Sequence, residues 1–388
     1  MDDKVAAIRA AYKKIFGEEP LLIRSPGRVN LIGEHTDYNE GFVLPAAVDK
    51  AIILALGPSG NEECFLQAND LAQAFVFRPD RIARTELRWP NYLMGVVLEI
   101  QKSGRRVPGF RCIFGGDIPI GAGLSSSAAL EAGLAFGLDR LFDFRLEPLD
   151  LVRLAQRAEN EFVGVRCGIM DQFINIFGRP RTVLKLDCRS LEHSYYPFER
   201  DDLRIVLCDT RVKRELASSE YNIRRSQCEE GVKALRKYNS ALRSLRDVPA
   251  DFLEAHRPDL DPVLFRRCAY VVGENERVEL ACRDLERGDF ASFGRRMDAS
   301  HARLRDDYEV SCRELDILTE AAGKVPGVLG SRMMGAGFGG CTINLVGEGA
   351  LGEFRSKVGK DYLDRTGREP FFYVSLLSSG TEVIKGFL

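Results

Sequence analysis

Residues 115–131 read GGDIPIGAGLSSSAALE: four glycines, Gly115, Gly116, Gly121 and Gly123, then three consecutive hydroxyls, Ser125 to Ser127, leading into a run of alanine and leucine. The apolar FRCIF before it (110–114) predicts a strand, and AALEAGLAFGLDRLF after it (128–142) predicts a long helix. A glycine-rich loop between strand and helix is an anion cradle by construction. Glycine lets backbone approach a ligand closely, the amides of the first turn point outward, and the helix dipole adds about half a positive charge there. Phosphate is the natural guest. A Walker A loop is excluded, because GK[ST] is missing and no lysine lies between Gly115 and Glu131.

Working outward, the chain opens with a charged amphipathic helix, MDDKVAAIRAAYKKIFG, and continues in short β-rich runs: LLIR, RVNLIG, FVLPAAV, KAIILAL, CFLQAND and AFVFRP. Helical periodicity follows from about Tyr92 to Lys102, and again from Leu151 to Phe162 after the glycine-serine loop. Two strands, TVLKLD and HSYYPF, precede the charged segment FERDDLR, which predicts a domain border near Arg200. The second half begins with the strand RIVLCD, runs through charge-rich helices, and closes with strand-loop-strand around Gly335, a helix and the strand FFYVSLL. That order is α+β, without internal repeat or low-complexity linker.

Three further segments carry chemistry. RSPGRVNLIGEHTDYNEGFVLP (24–45) gathers Glu34, His35 and Asp37 within four residues between turn-forming glycines, a density that suits a sugar whose hydroxyls need several acceptors. AENEFVGVRCGIMDQFINIFG (158–178) sets Asp171 after Gly168 among Ile169, Phe173, Ile174 and Phe177, and a carboxylate in an apolar helix needs a partner or a task. Arg28 is the expected partner. SRMMGAGFGGCTINLV matches GxGxxG at Gly335, Gly337 and Gly340, but a strand rather than a helix follows, so the loop either closes over a nucleotide or turns a sheet.

With 388 residues, 45% hydrophobic and 29% charged, the composition is that of an ordinary globular protein of two domains. A net charge of −2 with scattered basic residues gives no footprint for nucleic acid or an anionic membrane. The ten cysteines show no CxxC spacing and read as buried thiols of a reducing, cytoplasmic protein, and no apolar run approaches membrane-spanning length.

In order and spacing, the glycine motifs resemble the GHMP small-molecule kinases, the family that includes galactokinase, homoserine kinase, mevalonate kinase and phosphomevalonate kinase. PGRVNLIGEHTDYNEGFVLP, GLSSSAALE, CGIMDQF, SSEYNIRRSQCEE and SHARLRDDYEVSCRELD are similar to galactokinase segments, and the likeness runs over about residues 20 to 385. The resemblance implies an α+β, two-domain fold. Residues 1–200 would form an N-terminal nucleotide- and sugar-binding domain of mixed sheet and helices, residues 201–388 a C-terminal ferredoxin-like domain, with the active site in the cleft. It implies ATP-dependent phosphorylation of the anomeric hydroxyl of D-galactose, giving galactose 1-phosphate and ADP. The competing readings are a kinase for N-acetylgalactosamine, arabinose or galacturonate, and a non-catalytic sugar sensor.

By the same resemblance, Asp171 is the catalytic carboxylate and Arg28 its charge partner. Glu34, His35, Asp37, Gly168, Asp171 and Tyr221 would contact galactose. Gly121, Ala122, Gly123, Leu124, Ser125, Ser126 and Ser127 would wrap the ATP phosphates, with Trp89 near the adenine. Ser127 and Glu159 would hold Mg2+ as cofactor. Partners would be galactose and ATP, with no nucleic acid or membrane, in a monomer or weak homo-oligomer. Tyr270, where family members often carry histidine, would be structural.

Overall fold

The computed structural model describes residues 2–119, 121, 123–165, 167–212 and 217–385. Its first half is built on a mixed six-stranded sheet, ordered Glu382–Val383, Leu21–Asn30, Pro45–Pro58, Phe110–Gly116, Cys64–Ala68 and Gln73–Phe77. All neighbours are antiparallel except Cys64–Ala68 against Phe110–Gly116. The strand Pro45–Pro58 is a nearly continuous apolar run because both of its faces are covered. On one face lies the helix Asp2–Phe16, whose Val5, Ile8 and Tyr12 meet Leu22, Ile53, Ala55 and Ile113.

The other face carries the helices Arg88–Lys102, Ser126–Phe142, Pro148–Arg157 and Met170–Phe177. Glycines set how closely Ser126–Phe142 approaches: a Cβ at Gly133 would stand 2.8 Å from the Cβ of Ser25 in the neighbouring strand. The expected single helix from Leu151 to Phe162 is instead α-helix to Arg157 and π-helix over Ala158–Val163. A π turn is a feature that periodicity does not announce, and it carries Glu159. A small sheet of Phe42–Val43, Thr182–Asp187 and His193–Pro197 completes this half.

The second half has a four-stranded antiparallel sheet ordered Val328–Met333, Cys341–Gly347, Leu203–Asp209 and Phe371–Ser375. Numbered along the chain that order is 2-3-1-4, the ferredoxin-like arrangement the sequence implies. Strand alternation divides its side chains: Val206, Cys208 and Val346 pack under the helices Arg313–Gly323 and Leu351–Thr366. Ile205, Leu207, Ile343 and Leu345 join the large core shared with the first half. The helices Ala217–Leu235, Pro262–Glu286 and Phe290–Asp306 fill the remaining flank. The chain finally crosses back, pairing Ile23 with Val383 and Arg24 with Glu382 at the edge of the first sheet. None of the ten cysteines is in a disulfide. Among the described residues no helix is long and apolar enough to cross a membrane.

Candidate active site

A cavity of about 540 Å³ opens where the first strand ends, and Arg28, Glu34, His35, Asp37, Gly123, Ser125, Glu159, Gly168, Asp171 and Tyr221 line it. The strand Leu21–Asn30 delivers Arg28, and its backbone pins the glycine loop: Arg28 N–H donates to Leu124 O at 3.0 Å. Asp171 lies in the first turn of Met170–Phe177. The two meet as a bidentate pair, Arg28 Nε to Asp171 Oδ1 at 2.7 Å and Nη2 to Oδ2 at 2.5 Å. A planar fork on a carboxylate fixes geometry as well as charge. Ser125 Oγ donates to Asp171 Oδ2 at 2.6 Å, and Arg28 Nη1 donates to Gly123 O, so the loop, the arginine and the aspartate form one unit.

The loop has the backbone of a cradle. Gly121 and Gly123 have φ of 84° and 79°, Ser125 takes the left-handed region at 57°, and the helix starts at Ser126. Ala122 lies outside the described residues. Trp89 sits apart from the cavity lining, at the start of its helix, where its ring packs edge-on to Phe114 at 5.5 Å and its Nε1 donates to Gln73 Oε1 at 2.8 Å. Phe114 lies in the strand Phe110–Gly116 that leads into the glycine loop.

Beyond Asn30 the backbone turns sharply, with Gly33 at φ 97° and His35 at φ 60°. A side chain other than glycine's held left-handed marks a conformation that the surroundings over-determine. Thr36 Oγ1 bridges Gly33 O at 2.9 Å and Phe42 O at 2.6 Å, and Asn39 Nδ2 donates to His35 O at 2.9 Å. Glu34 Oε1 accepts from Arg332 Nη2 at 3.0 Å and from the Gly335 amide at 2.9 Å. Burial pushes the Glu34 carboxyl up, but the Arg332 guanidinium and the Gly335 amide outweigh it and hold it below its ordinary value. Tyr270, as expected, is structural: its buried hydroxyl donates to Glu34 O at 2.9 Å. The third glycine motif thus serves the EHTD turn through the Gly335 amide, and Ala336 joins the cavity wall.

Burial drives His35 down to about 4, against the pull of Glu34, so the imidazole is neutral. Asp37 is pushed up to about 6, mainly by burial and further by the charges of Asp171 and Glu34. Its carboxylate lies against Gly168, where a Cβ would stand 1.8 Å from Asp37 Oδ2.

Glu159 is buried, accepting from Gln172 Nε2 at 2.7 Å and Cys167 Sγ at 3.3 Å and bonded to the Ser127 hydroxyl. Burial first, then Asp171, raises its carboxyl; the neighbouring Glu131 is raised further for the same reason of burial beside a like charge. Three acidic side chains face Arg28 as the cation of the unit, and hard oxygen donors short of positive charge suit magnesium carried in with phosphate oxygens. Among the described residues no three His, Cys, Asp or Glu could hold a metal by themselves.

Sequence reasoning named the lining carboxylates and the loop but missed Arg332, Gln172, Cys167, Tyr38 and Tyr308. Arg332 is fully buried and also donates to Leu31 O at 2.7 Å and Met333 O at 2.7 Å. An arginine inside the strand run before GAGFGG was its only signal.

Comparison with known proteins gives the same picture along the whole chain. Residues 10–58 match the galactokinase galactose-binding signature, 91–179 the N-terminal domain of GHMP kinases and 281–364 the C-terminal domain of GHMP kinases. A galactokinase of Roseiflexus sp. (strain RS-1) is 44% identical over 96% of this chain and 95% of its own length. The human galactokinase is 42% identical over 98% of this chain and 96% of its own. The Lactococcus lactis galactokinase, solved in complex with galactose, superposes with a TM-score of 0.94 at 36% identity, covering 98% of this chain and 100% of that one. A Methanococcus jannaschii mevalonate kinase, at 16% identity and a TM-score of 0.67, shares the fold.

Proposed function

This chain belongs to the galactokinases of the GHMP kinase family, and from that premise we infer that it phosphorylates galactose with ATP at the anomeric hydroxyl, giving galactose 1-phosphate and ADP. The observation that carries the reading is the bidentate Arg28–Asp171 pair, standing where the cavity meets the glycine loop. Phosphoryl transfer passes through a loose transition state, so positioning and charge neutralisation do the work and no covalent nucleophile is needed. Asp171 accepts the hydrogen bond of the attacking hydroxyl, and Arg28 fixes that carboxylate while presenting its charge to the transferring group. Gly121 to Ser127 cradle the phosphates, with the adenine bordered by Trp89 beside the loop's origin. Ser127 and Glu159 would hold magnesium, which would supply neutralisation of phosphate charge.

Glu34, His35, Asp37, Gly168 and Tyr221 take the sugar. Buried groups that hydrogen-bond particular hydroxyls are left unpaired by an epimer, which supports discrimination up to ~10⁴-fold. The division into units of 1–200 and 201–388 rests on the two sheets, with Glu382–Val383 returning to the first. The test is ADP release from magnesium-ATP with galactose, glucose, N-acetylgalactosamine, arabinose or galacturonate, using Asp171→Asn as the blank. Galactose-dependent turnover lost in the blank is expected. Turnover confined to another sugar would move the substrate, and a wild-type protein that binds galactose without turnover would overturn the kinase reading.

A further inference from the structure

A line of hydrogen bonds runs from the cavity into the second half of the chain: His35 Nδ1 to Tyr38 Oη at 2.8 Å, Tyr38 Oη to Tyr308 Oη at 2.7 Å, Tyr308 Oη to Cys228 Sγ at 3.3 Å. Tyr308 and Cys228 are buried, and their positions come from the segments at 300–316 and 217–235, far from the EHTD turn in sequence. The rings pack as one cluster, His35 to Tyr308 at 4.9 Å, to Tyr221 at 5.5 Å and to Tyr38 at 5.8 Å between centroids. Behind them Arg224 donates to Tyr308 O at 2.8 Å and Glu309 O at 2.8 Å, which fixes where the Tyr308 ring can stand.

Each hydroxyl in the line has one proton, so the acceptors decide the direction. Tyr308 can donate to the Tyr38 oxygen or to the Cys228 sulfur, and sulfur is the weaker acceptor. Its proton therefore goes to Tyr38, and the Cys228 thiol donates to the Tyr308 oxygen. Tyr38, having accepted, places its own proton on the unprotonated Nδ1 of His35, a strong acceptor. The imidazole is neutral, so its single proton is left on Nε2. That atom is buried without a hydrogen-bond partner, in a residue that lines the cavity together with Ala336.

We propose that Tyr38 and Tyr308 are positioning residues that lock His35 as its Nε2–H tautomer, so that it meets the sugar as a hydrogen-bond donor beside the acceptors Glu34 and Asp37. A hydroxyl lying between such a donor and such an acceptor is bonded through both its oxygen and its proton. A deoxy or an acceptor-only substituent at that carbon leaves one of the two protein groups unpaired in a dry site. The sugar-recognition part of this inference rests on the galactokinase reading; the tautomer does not.

The test uses the whole protein with ¹⁵N-labelled histidine. The chain has four histidines, so the His35 ring is assigned by its loss in His35→Gln. Long-range ¹H–¹⁵N spectra without ligand at pH 7.5 are expected to give a protonated Nε2 and a pyridine-like Nδ1. In Tyr38→Phe the lock is gone, the two tautomers mix, and galactose binds about ten-fold more weakly, or ~1.4 kcal/mol, while kcat stays within about two-fold. Tyr308→Phe, which keeps the ring and leaves the EHTD turn untouched, gives the same spectral change if Tyr38→Phe does not fold. A proton on Nδ1 in the wild type, or tautomers unaltered in both variants, overturns the proposal. Calorimetric titration of the wild type with galactose separates the two failures: absence of binding there removes the sugar reading, and the ligand-free spectrum still decides the tautomer.

Discussion

At Gly168 a methyl group would stand 1.8 Å from Asp37 Oδ2, so the glycine is there for a carboxylate rather than for a turn. Gly168→Ala must push Asp37 off its place in the cavity wall, and displacing a half-buried acceptor costs ~1–3 kcal/mol. The expected outcome is a galactose KM raised about ten-fold or more with kcat changed far less, measured by steady-state kinetics. Asp37 itself gives a pH signature. Its carboxyl is raised from 3.8 to about 6, chiefly by burial and then by Asp171 and Glu34. A pKa raised on folding contributes stability that is present below about 3.8 and lost as pH rises through about 6. At neutral pH Asp37→Asn should therefore stabilise the ligand-free protein, by up to ~3 kcal/mol for a shift of this size, as read by urea unfolding. It should also bind galactose more weakly. In the wild type galactose affinity should fall as pH drops through about 6, and in Asp37→Asn that dependence should vanish. Glu34, His35 and Asp37 were legible because they fall within four residues of the chain. Arg28 and Asp171 were legible because a carboxylate in an apolar helix calls for a cation. Arg332 was not, because its partner Glu34 is nearly 300 residues away and its place in a strand run before GAGFGG does not by itself name a carboxylate to pair with.

Among the elements, the helix Ser126–Phe142 joins the glycine-serine loop to the core, and its packing depends on Gly133, where Ser25 Cβ and Leu54 Cδ1 both lie 2.8 Å from an added Cβ. Gly133→Val overpacks a helix–sheet contact with a strand on the far side, which costs ~1–3 kcal/mol. Since the helix start carries Ser126 and Ser127, the displacement should raise the KM for ATP more than that for galactose. Equal changes in both would argue against the loop's phosphate role. The strands and helices around this loop follow from apolar runs and glycine punctuation, and the sequence reading of them agrees with the structure to within a few residues. What it lacked was the π turn at Ala158–Val163 and the single long strand Leu21–Asn30, interrupted in register between Pro26 and Arg28. Both are local irregularities that tertiary packing selects, and both contain or adjoin a site residue, Glu159 within the π turn and Arg28 at the register shift.

Across the whole molecule, two sheets share one core, with Ile205, Leu207, Ile343 and Leu345 of the second packed in the same cluster as Leu54 of the first and Leu93 and Leu134 of the helices that cover it. Composition and strand order could announce two domains but not that their apolar faces merge, since a strand's alternation does not say which neighbour covers it. The C-terminal crossing tightens the join. Arg24, 3% exposed, donates to Ser378 Oγ at 2.9 Å, Ser379 O at 3.1 Å and Val48 O at 3.0 Å, and the Thr381 amide donates to Asn175 O at 2.7 Å. Removing residues 377–388 would strip a buried guanidinium of two hydrogen-bond partners and of the Glu382 carboxylate 3.9 Å away, and bare the edge of the first sheet. Hydrogen bonds of a charged group contribute ~1.5–3 kcal/mol each, so the loss of two should reach ~3–6 kcal/mol. We expect the intact protein to unfold in one calorimetric transition, and the shortened chain to unfold at markedly lower urea concentration with both sheets lost together. If the shortened chain kept its midpoint, or if its second sheet melted separately while the first stood, the two halves would be coupled more weakly than their common core requires.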